Sequence, residues 1–308
     1  MERIASVTLG TSSLGTGIRV GSAEEDAAVE TARALLTGPF ARIDTANSYA
    51  GGRSEELLGM ARRKLGDLAR AARIVTKVDA DPGTGALDRE RVLRSYEESL
   101  TRLGVDRIEL LHLHDPYTIS FREAEGSAGA IAGMRELRDT GAVDAIGIAA
   151  GPIPLMLDYV RTQAFDAVLT HNRYTLIDRT ALPLLTEARS MGMTIFNAAP
   201  FGAGILATGV VPGARYGYRP VTAPVIEWAE RAQEVCDGYG IPLAAAALHF
   251  SIRSPFVDST VVGVRTVARL RELEELVDIR IPDELWAEFD EIGPTPSLKE
   301  RGRVKQGF

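Results

Sequence analysis

Phe40-Ala-Arg-Ile-Asp44-Thr-Ala-Asn-Ser-Tyr49-Ala-Gly-Gly-Arg-Ser-Glu-Glu-Leu-Leu-Gly59 holds a strand end, a turn and a helix start in one short stretch. Ile43 closes a brief apolar run and Asp44 follows it. Gly51-Gly52 then turns the chain before Ser54 opens a helix whose first turn carries Glu55 and Glu56, where a helix favours acid. A carboxylate and a phenol, Asp44 and Tyr49, therefore stand at the mouth of a strand. Alone, an Asp before a turn is an ordinary turn former, so the weight rests on what else reaches the same place.

The same unit recurs along the chain. Ser6–Gly10 reads as a strand and Ser22 as the N-cap of a helix carrying Ala28, Val29, Ala32 and Leu35 at helical spacing. After Arg42–Asp44 and the helix Ser54–Leu65 come the strand Arg73–Lys77, a helix capped by Asp88 and running through Leu103, and the strand Ile108–Leu113. A helix from about Ser127 ends at Thr140-Gly141. Ala145–Ile148, Ala167–Thr170, Thr194–Asn197 and Ser259–Val262 are further strands. Between and after them lie helices at Pro154–Thr162, Ala181–Met191, Pro224–Tyr239, Pro242–Arg253 and Val267–Val277. Asp283–Ile292 adds a helix before a polar tail.

Eight short apolar strands alternating with helices predict a closed (β/α)8 TIM barrel of parallel strands, with an extra C-terminal helix and tail, as one domain over residues 1–308. Apolar residues on both faces suit buried parallel strands. A doubly wound dinucleotide fold would want G-x-G-x-x-G after its first strand, and Gly10-Thr-Ser-Ser-Leu-Gly15 has a different spacing.

The 308 residues carry a net charge of −7, which disfavours a nucleic-acid surface. No window reaches the roughly 18–20 apolar residues of a membrane span. With Met-Glu-Arg-Ile at the N-terminus in place of a secretory apolar core, a cytoplasmic location is expected, without membrane partners. Cys236, the single cysteine, is expected to be buried packing.

In a (β/α)8 barrel chemistry gathers at the C-terminal strand ends. Asp44 ends the second strand, Lys77 the third and His114 the fourth, with Tyr49 in the loop beside them. A phenol is a weak acid at neutral pH, and a neighbouring ammonium would favour its phenolate and tune it for proton transfer. Asp44 would hold Lys77, and His114 would orient the reacting oxygen. Without a covalent nucleophile, the set suits proton transfer coupled to hydride movement on an external cofactor. His112, deeper on the same strand, reads as a structural histidine. Against this stands a metal site made by His112, His114, Asp44 and His171, which would leave Lys77 and Tyr49 unused.

Gly10-Thr11, Asp44-Thr-Ala-x-x-Tyr49, Lys77, His114-x-Pro116, Gly147-Ile148 and Gly263-Val-Arg-Thr266 together resemble the aldo-keto reductase superfamily over essentially the whole chain. The resemblance implies NADP or NAD as cofactor, Tyr49 as general acid/base, and Asp44, Lys77 and His114 supporting it. A cofactor-binding sensor or partner subunit on the same fold is the non-catalytic alternative. Within the superfamily, Asn197-Ala-Ala-Pro-Phe-Gly-Ala-Gly-Ile-Leu206 and Gly147-Ile-Ala-Ala150 resemble bacterial aldose 1-dehydrogenases of the D-threo-aldose or L-fucose type and the related pyridoxal dehydrogenases. The substrate expected is a small sugar oxidised at its anomeric carbon, or an aldehyde.

The cofactor side implied by the resemblance comprises Gly10, Thr11, Ser12 and Asp44, then His171 and Asn172. It continues through Ala198, Ala199, Pro200, Phe201, Gly202 and Gly204. Gly263, Val264, Arg265, Thr266 and Arg269 complete it, the two arginines placed to meet an adenosine 2′-phosphate. Ala198 cannot stack on a nicotinamide as the family's usual Tyr does, and Ala149-Ala150 lacks side-chain donors for its amide. On the substrate side, Tyr49 and His114 would touch the reacting group. Tyr117, Phe121, Tyr216, Tyr218 and Phe308 would form apolar walls, and Arg219 or Arg303 a polar grip.

Overall fold

A computed structural model describes residues 4, 6–40, 42–69, 72–211, 213–216 and 219–292, the Arg219 side chain excepted. The apolar runs become strands: β1 (Val7–Gly10), β2 (Arg42–Asp44), β3 (Arg73–Val78), β4 (Ile108–His114), β5 (Val143–Ala150), β6 (Ala167–His171) and β7 (Thr194–Ala198). A two-residue hairpin, β8 (Arg215–Tyr216) with β9 (Arg219–Pro220), lies inside the long loop, and β10 (Ser259–Gly263) is the eighth barrel strand. The barrel closes in the order β1-β10-β7-β6-β5-β4-β3-β2, all pairings parallel. The fold is the (β/α)8 barrel expected, with helix Asp283–Glu291 added after the last barrel helix.

Helix starts follow local chemistry. The Ser22 and Asp88 side chains accept from the backbone N–H of Glu25 (3.4 Å) and Arg91 (2.8 Å), respectively, as N-caps do. Ser54 is not the start of its helix: Gly52, at φ 92°, precedes a helix running Arg53–Leu65. The buried Ser54 hydroxyl instead donates to the Thr11 carbonyl at 3.0 Å, tying helix to strand. The helix expected from about Ser127 begins at Ala130. A short helix, Phe121–Glu125, precedes it on a capping box in which Ser120 and Glu123 satisfy each other's backbone N–H.

Alternation along each strand sorts residues between the barrel interior and the layer under the helices. Val75, Leu110, Leu169, Phe196 and Val261 fill the interior. Leu9, Ile43, Leu111, Ile148 and Val262 face outward and pack in the clusters shared with helices. Cys236 is fully buried in that outer layer. Two residues beyond the interior layer on each strand lies the open end of the barrel. The same period thus carries Val75 to Lys77, Leu169 to His171 and Phe196 to Ala198. His112 sits within the interior, its ring edge-on to Phe196 at 5.8 Å. A Cβ on Gly147 would come within 2.2 Å of its Nδ1, so only glycine on β5 leaves space for that imidazole. Burial, then the charges of Lys77 and His114, push the His112 pKa well down, keeping it neutral.

Candidate active site

Lys77 is the most enclosed member of the cluster, 1% exposed. Its ammonium donates to Asp44 Oδ1 at 2.7 Å and to the Thr45 carbonyl at 2.6 Å. Register explains the reach: Asp44 aligns with Val75, so Lys77 overshoots β2 and must lean back to its carboxylate. Burial pulls the ammonium down, but the Asp44 carboxylate, with hydrogen bonds to Asp44 and Tyr49, outweighs it and holds its pKa above the ordinary lysine value. Asp44 Oδ2 is buried and has no partner among the described residues.

Tyr49 is set by a sharp turn in which Ala50, Gly51 and Gly52 all have positive φ. Its loop is pinned from below. The Asn47 N–H donates to the Lys77 carbonyl at 3.1 Å, and Arg102 donates to the Asn47 carbonyl at 2.9 Å. Arg91 Nη2 donates to Asn47 Oδ1 at 3.1 Å. The Lys77 ammonium stands 4.5 Å from the centroid of the phenol ring. Burial nevertheless dominates: it raises the phenol while the Lys77 charge lowers it, and the balance is pushed up to about 12. Lys77 thus acts on the phenol in the expected direction, toward its phenolate, while enclosure acts the other way.

His114 meets Tyr49 edge to face, ring centroids 5.5 Å apart. Its Nδ1 is 2.7 Å from Asp79 Oδ1, a residue that sequence reading passes over. The signal was present: Val75, Lys77 and Asp79 are spaced by two, so the alternation that aims Lys77 inward also aims Asp79. Burial raises the Asp79 carboxyl, but the charge and hydrogen bond of His114 and the Ser48 N–H more than offset it, leaving its pKa lowered.

These groups open onto a cavity of about 410 Å³. Of the expected cofactor residues, Gly10, Ser12, Asp44, His171, Asn172, Ala198, Ala199 and Gly263 line it. Phe201, Gly204, Gly263 and Arg269 line an adjoining cleft of about 140 Å³, together with Glu272. The Arg269 guanidinium is paired with Glu272. Arg265 is exposed, and Thr266 caps the helix Val267–Asp278 through the Arg269 N–H. Thr11, Pro200, Gly202 and Val264 are buried behind these surfaces. Thr11 holds the Asp44 carbonyl at 3.0 Å.

A nicotinamide dinucleotide fits this surface. Asn172 Oδ1 is buried without a partner among the described residues, an acceptor ready for an amide. A Cβ on Gly263 would meet nothing within 4 Å, so the β10 end is open to an approaching group. Ala198 adds little bulk where it lines the cavity.

The apolar walls are placed differently from expectation. Tyr216 is buried, its hydroxyl donating to the Asn172 carbonyl at 3.1 Å and sharing a 2.8 Å bond with Thr175. It props the cavity wall from behind, because Gly202 leaves room for its ring. Phe121 packs edge-on against Tyr159 at 5.2 Å, away from the cavity. Tyr117 is exposed and is not among the residues lining the cavity, its hydroxyl accepting from the Gly151 N–H at 3.0 Å. Tyr218, Arg303, Phe308 and the Arg219 side chain lie outside the described part. As for the metal alternative, the described residues contain no group of three or more His, Cys, Asp or Glu side chains suited to hold an ion.

Fold and site define a (β/α)8 protein whose ionisable groups gather where barrel enzymes carry out chemistry. The chain belongs to the aldo/keto reductase family, whose family model matches residues 6–294, and it is an oxidoreductase of that type. Pyridoxal 4-dehydrogenase of Microbacterium luteolum is 29% identical over 92% of both chains. D-threo-aldose 1-dehydrogenase of a Pseudomonas species is 34% identical over 66% of this chain and 62% of its own. An aldo-keto reductase from Bacillus halodurans, solved in its holo form, superposes with a TM-score of 0.75 at 19% identity, covering 94% of this chain and 92% of the other. Among the described residues no single helix is long and apolar enough to cross a membrane.

Proposed function

We propose that the chain oxidises the anomeric hydroxyl of an aldose to a lactone, or in reverse reduces an aldehyde, using NAD or NADP. The observation that carries this reading is the convergence of Tyr49, the Lys77–Asp44 pair and His114 on one open cavity. The nicotinamide, when bound, takes or gives the hydride at the substrate carbon. The chain's own groups then deal with the oxygen. Tyr49 takes the hydroxyl proton in oxidation and returns it in reduction, with the Lys77 ammonium against its ring favouring the anion. Asp44 holds that ammonium in place, and His114 faces the same oxygen from β4. Asn172, Gly263 and the cleft at Arg269 would hold the cofactor. The small Ala149 and Ala198 would leave space for its ring.

The aldose assignment is supported by the likeness to D-threo-aldose 1-dehydrogenase. Pyridoxal is the second substrate to test, because the pyridoxal 4-dehydrogenase match spans nearly the whole chain. The experiment is initial-rate absorbance of the reduced nicotinamide, with NAD and NADP separately, across L-fucose, D-arabinose, L-galactose, L-xylose, pyridoxal and simple aldehydes. Fast oxidation of one sugar is expected. Reduction of aldehydes with every sugar inert would contradict the aldose assignment.

A further inference from the structure

The two carboxylates that flank the His114 ring are served unequally. Asp79 is saturated: its Oδ2 accepts from the Ser48 N–H at 2.9 Å and its Oδ1 lies 2.7 Å from His114 Nδ1. Asp115 follows His114 in the chain and lines the same cavity. Its Oδ1 is buried with no hydrogen-bond partner among the described residues. Its Oδ2 stands 3.9 Å from His114 Nε2, beyond hydrogen-bond reach. A carboxylate oxygen buried without a donor is costly, so the place suits a donor that arrives with a ligand.

The backbone at Asp115 carries a second cost. Its φ of 39° lies in the left-handed region that few residues other than glycine adopt. It is held there by its own N–H, which donates to the Ala149 carbonyl at 2.9 Å, and by its carbonyl, which accepts from the Tyr117 N–H at 2.6 Å. Strain of this kind gathers where proteins bind or react. Among the described residues lining the cavity, Lys77 alone carries an ammonium or guanidinium, and it is committed to Asp44. The Asp115 charge instead reaches His171 across the cavity, where it opposes the burial that lowers that imidazole's pKa.

We propose that Asp115 is a specificity residue, accepting a hydrogen bond from the hydroxyl next to the reacting carbon and so selecting polyhydroxylated substrates over plain aldehydes. This deepens the hydride-transfer reading above and rests on it. An ionised carboxylate can only accept, so it favours a hydroxyl over an ether or a bare methylene in that place. Neighbouring oxygens of a sugar stand about as far apart as two hydrogen-bonded atoms. A reacting oxygen bonded to His114 Nε2 therefore brings the next hydroxyl within reach of Asp115 Oδ2. Tyr49 and Lys77 remain free to deal with the reacting oxygen itself.

Glyceraldehyde and propanal differ only in two hydroxyls, and comparing kcat/KM for their reduction isolates what Asp115 reads. The wild type should prefer glyceraldehyde by about 10–10²-fold, as expected of a hydrogen bond to a charged acceptor. Asp115→Gly should narrow that preference to within a few-fold. Glycine adopts a positive φ freely, so the loop is retained when the carboxylate is removed. Asp115→Asn, which also tolerates the left-handed region and keeps one acceptor, should fall between the two. A variant as selective as the wild type, or a wild type without preference, would overturn the proposal. If neither aldehyde is reduced, the hydride-transfer reading fails separately, and binding decides on Asp115. Calorimetric titration with L-fucitol, a polyol without a carbonyl, in the presence of NAD or NADP should then show an affinity that Asp115→Gly lowers at least about 10-fold. Equal affinities, or no binding by the wild type, would overturn the role of Asp115.

Discussion

The β2–β4 and β5–β7 ends of the barrel are built from different materials. The first presents Asp44, Lys77, Asp79, His114 and the Tyr49 loop, cross-linked by short hydrogen bonds and braced by Arg91 and Arg102. The second presents Ala149, Ala198 and His171, an imidazole whose pKa burial lowers, with Gly147 beneath them and Asn172 beside them. Desolvated charge is costly unless paired, so the charged half has to be rigid and saturated. The small-residue half carries no such requirement and can be left open. One half is fitted to act on an oxygen, the other to admit a ring.

Breaking the charged half should have the largest effect. Lys77→Met leaves Asp44 buried without a counter-charge, and a urea titration should show a loss of about 3–5 kcal/mol, with turnover down by at least about 10²-fold. On the quiet half, Gly147→Ala brings a methyl onto the His112 ring, and the melting curve should report a loss of about 1–3 kcal/mol. An unchanged melting curve would show that His112 has somewhere else to go.

Acid sharpens the comparison further. The Asp79 pKa is lowered in the fold, so its contribution is present above the ordinary carboxylate pKa, about 4, and is lost as pH falls through the folded value. Asp79→Asn should be less stable than wild type by about 1–2 kcal/mol near neutrality, with the gap closing in acid. A gap independent of pH would mean that the carboxylate charge contributes nothing to the fold. The smallest effect is expected for Asn172→Ala. Its stability should hardly change, while calorimetric nucleotide affinity drops by about 3–10-fold, the worth of one hydrogen bond.

Strand ends were legible because short apolar runs and glycine or capped turns are local signals. Asp44, Lys77 and His114 are therefore brought to one barrel end by the sequence pattern alone. Asp79 could have been found by extending the β3 alternation by one step beyond the apolar run. The pairing of Gly147 with His112, and of Gly202 with Tyr216, could not, since each joins distant parts of the chain. Tyr216 misled because a tyrosine in a glycine-rich loop looks exposed, whereas hydroxyl bonds to Thr175 and Asn172 compensate its burial. The phenol shows a related gap: sequence reveals the nearby ammonium, which lowers its pKa, but not the enclosure, which raises it.

The most direct measurement compares wild type with Tyr49→Phe, using initial rates on the best substrate of the panel and nucleotide binding by fluorescence titration. Nucleotide affinity should be retained within a few-fold while turnover falls by about 10²–10⁴-fold. Turnover near that of the wild type would contradict the claim that the cluster around Tyr49 is where the chemistry occurs.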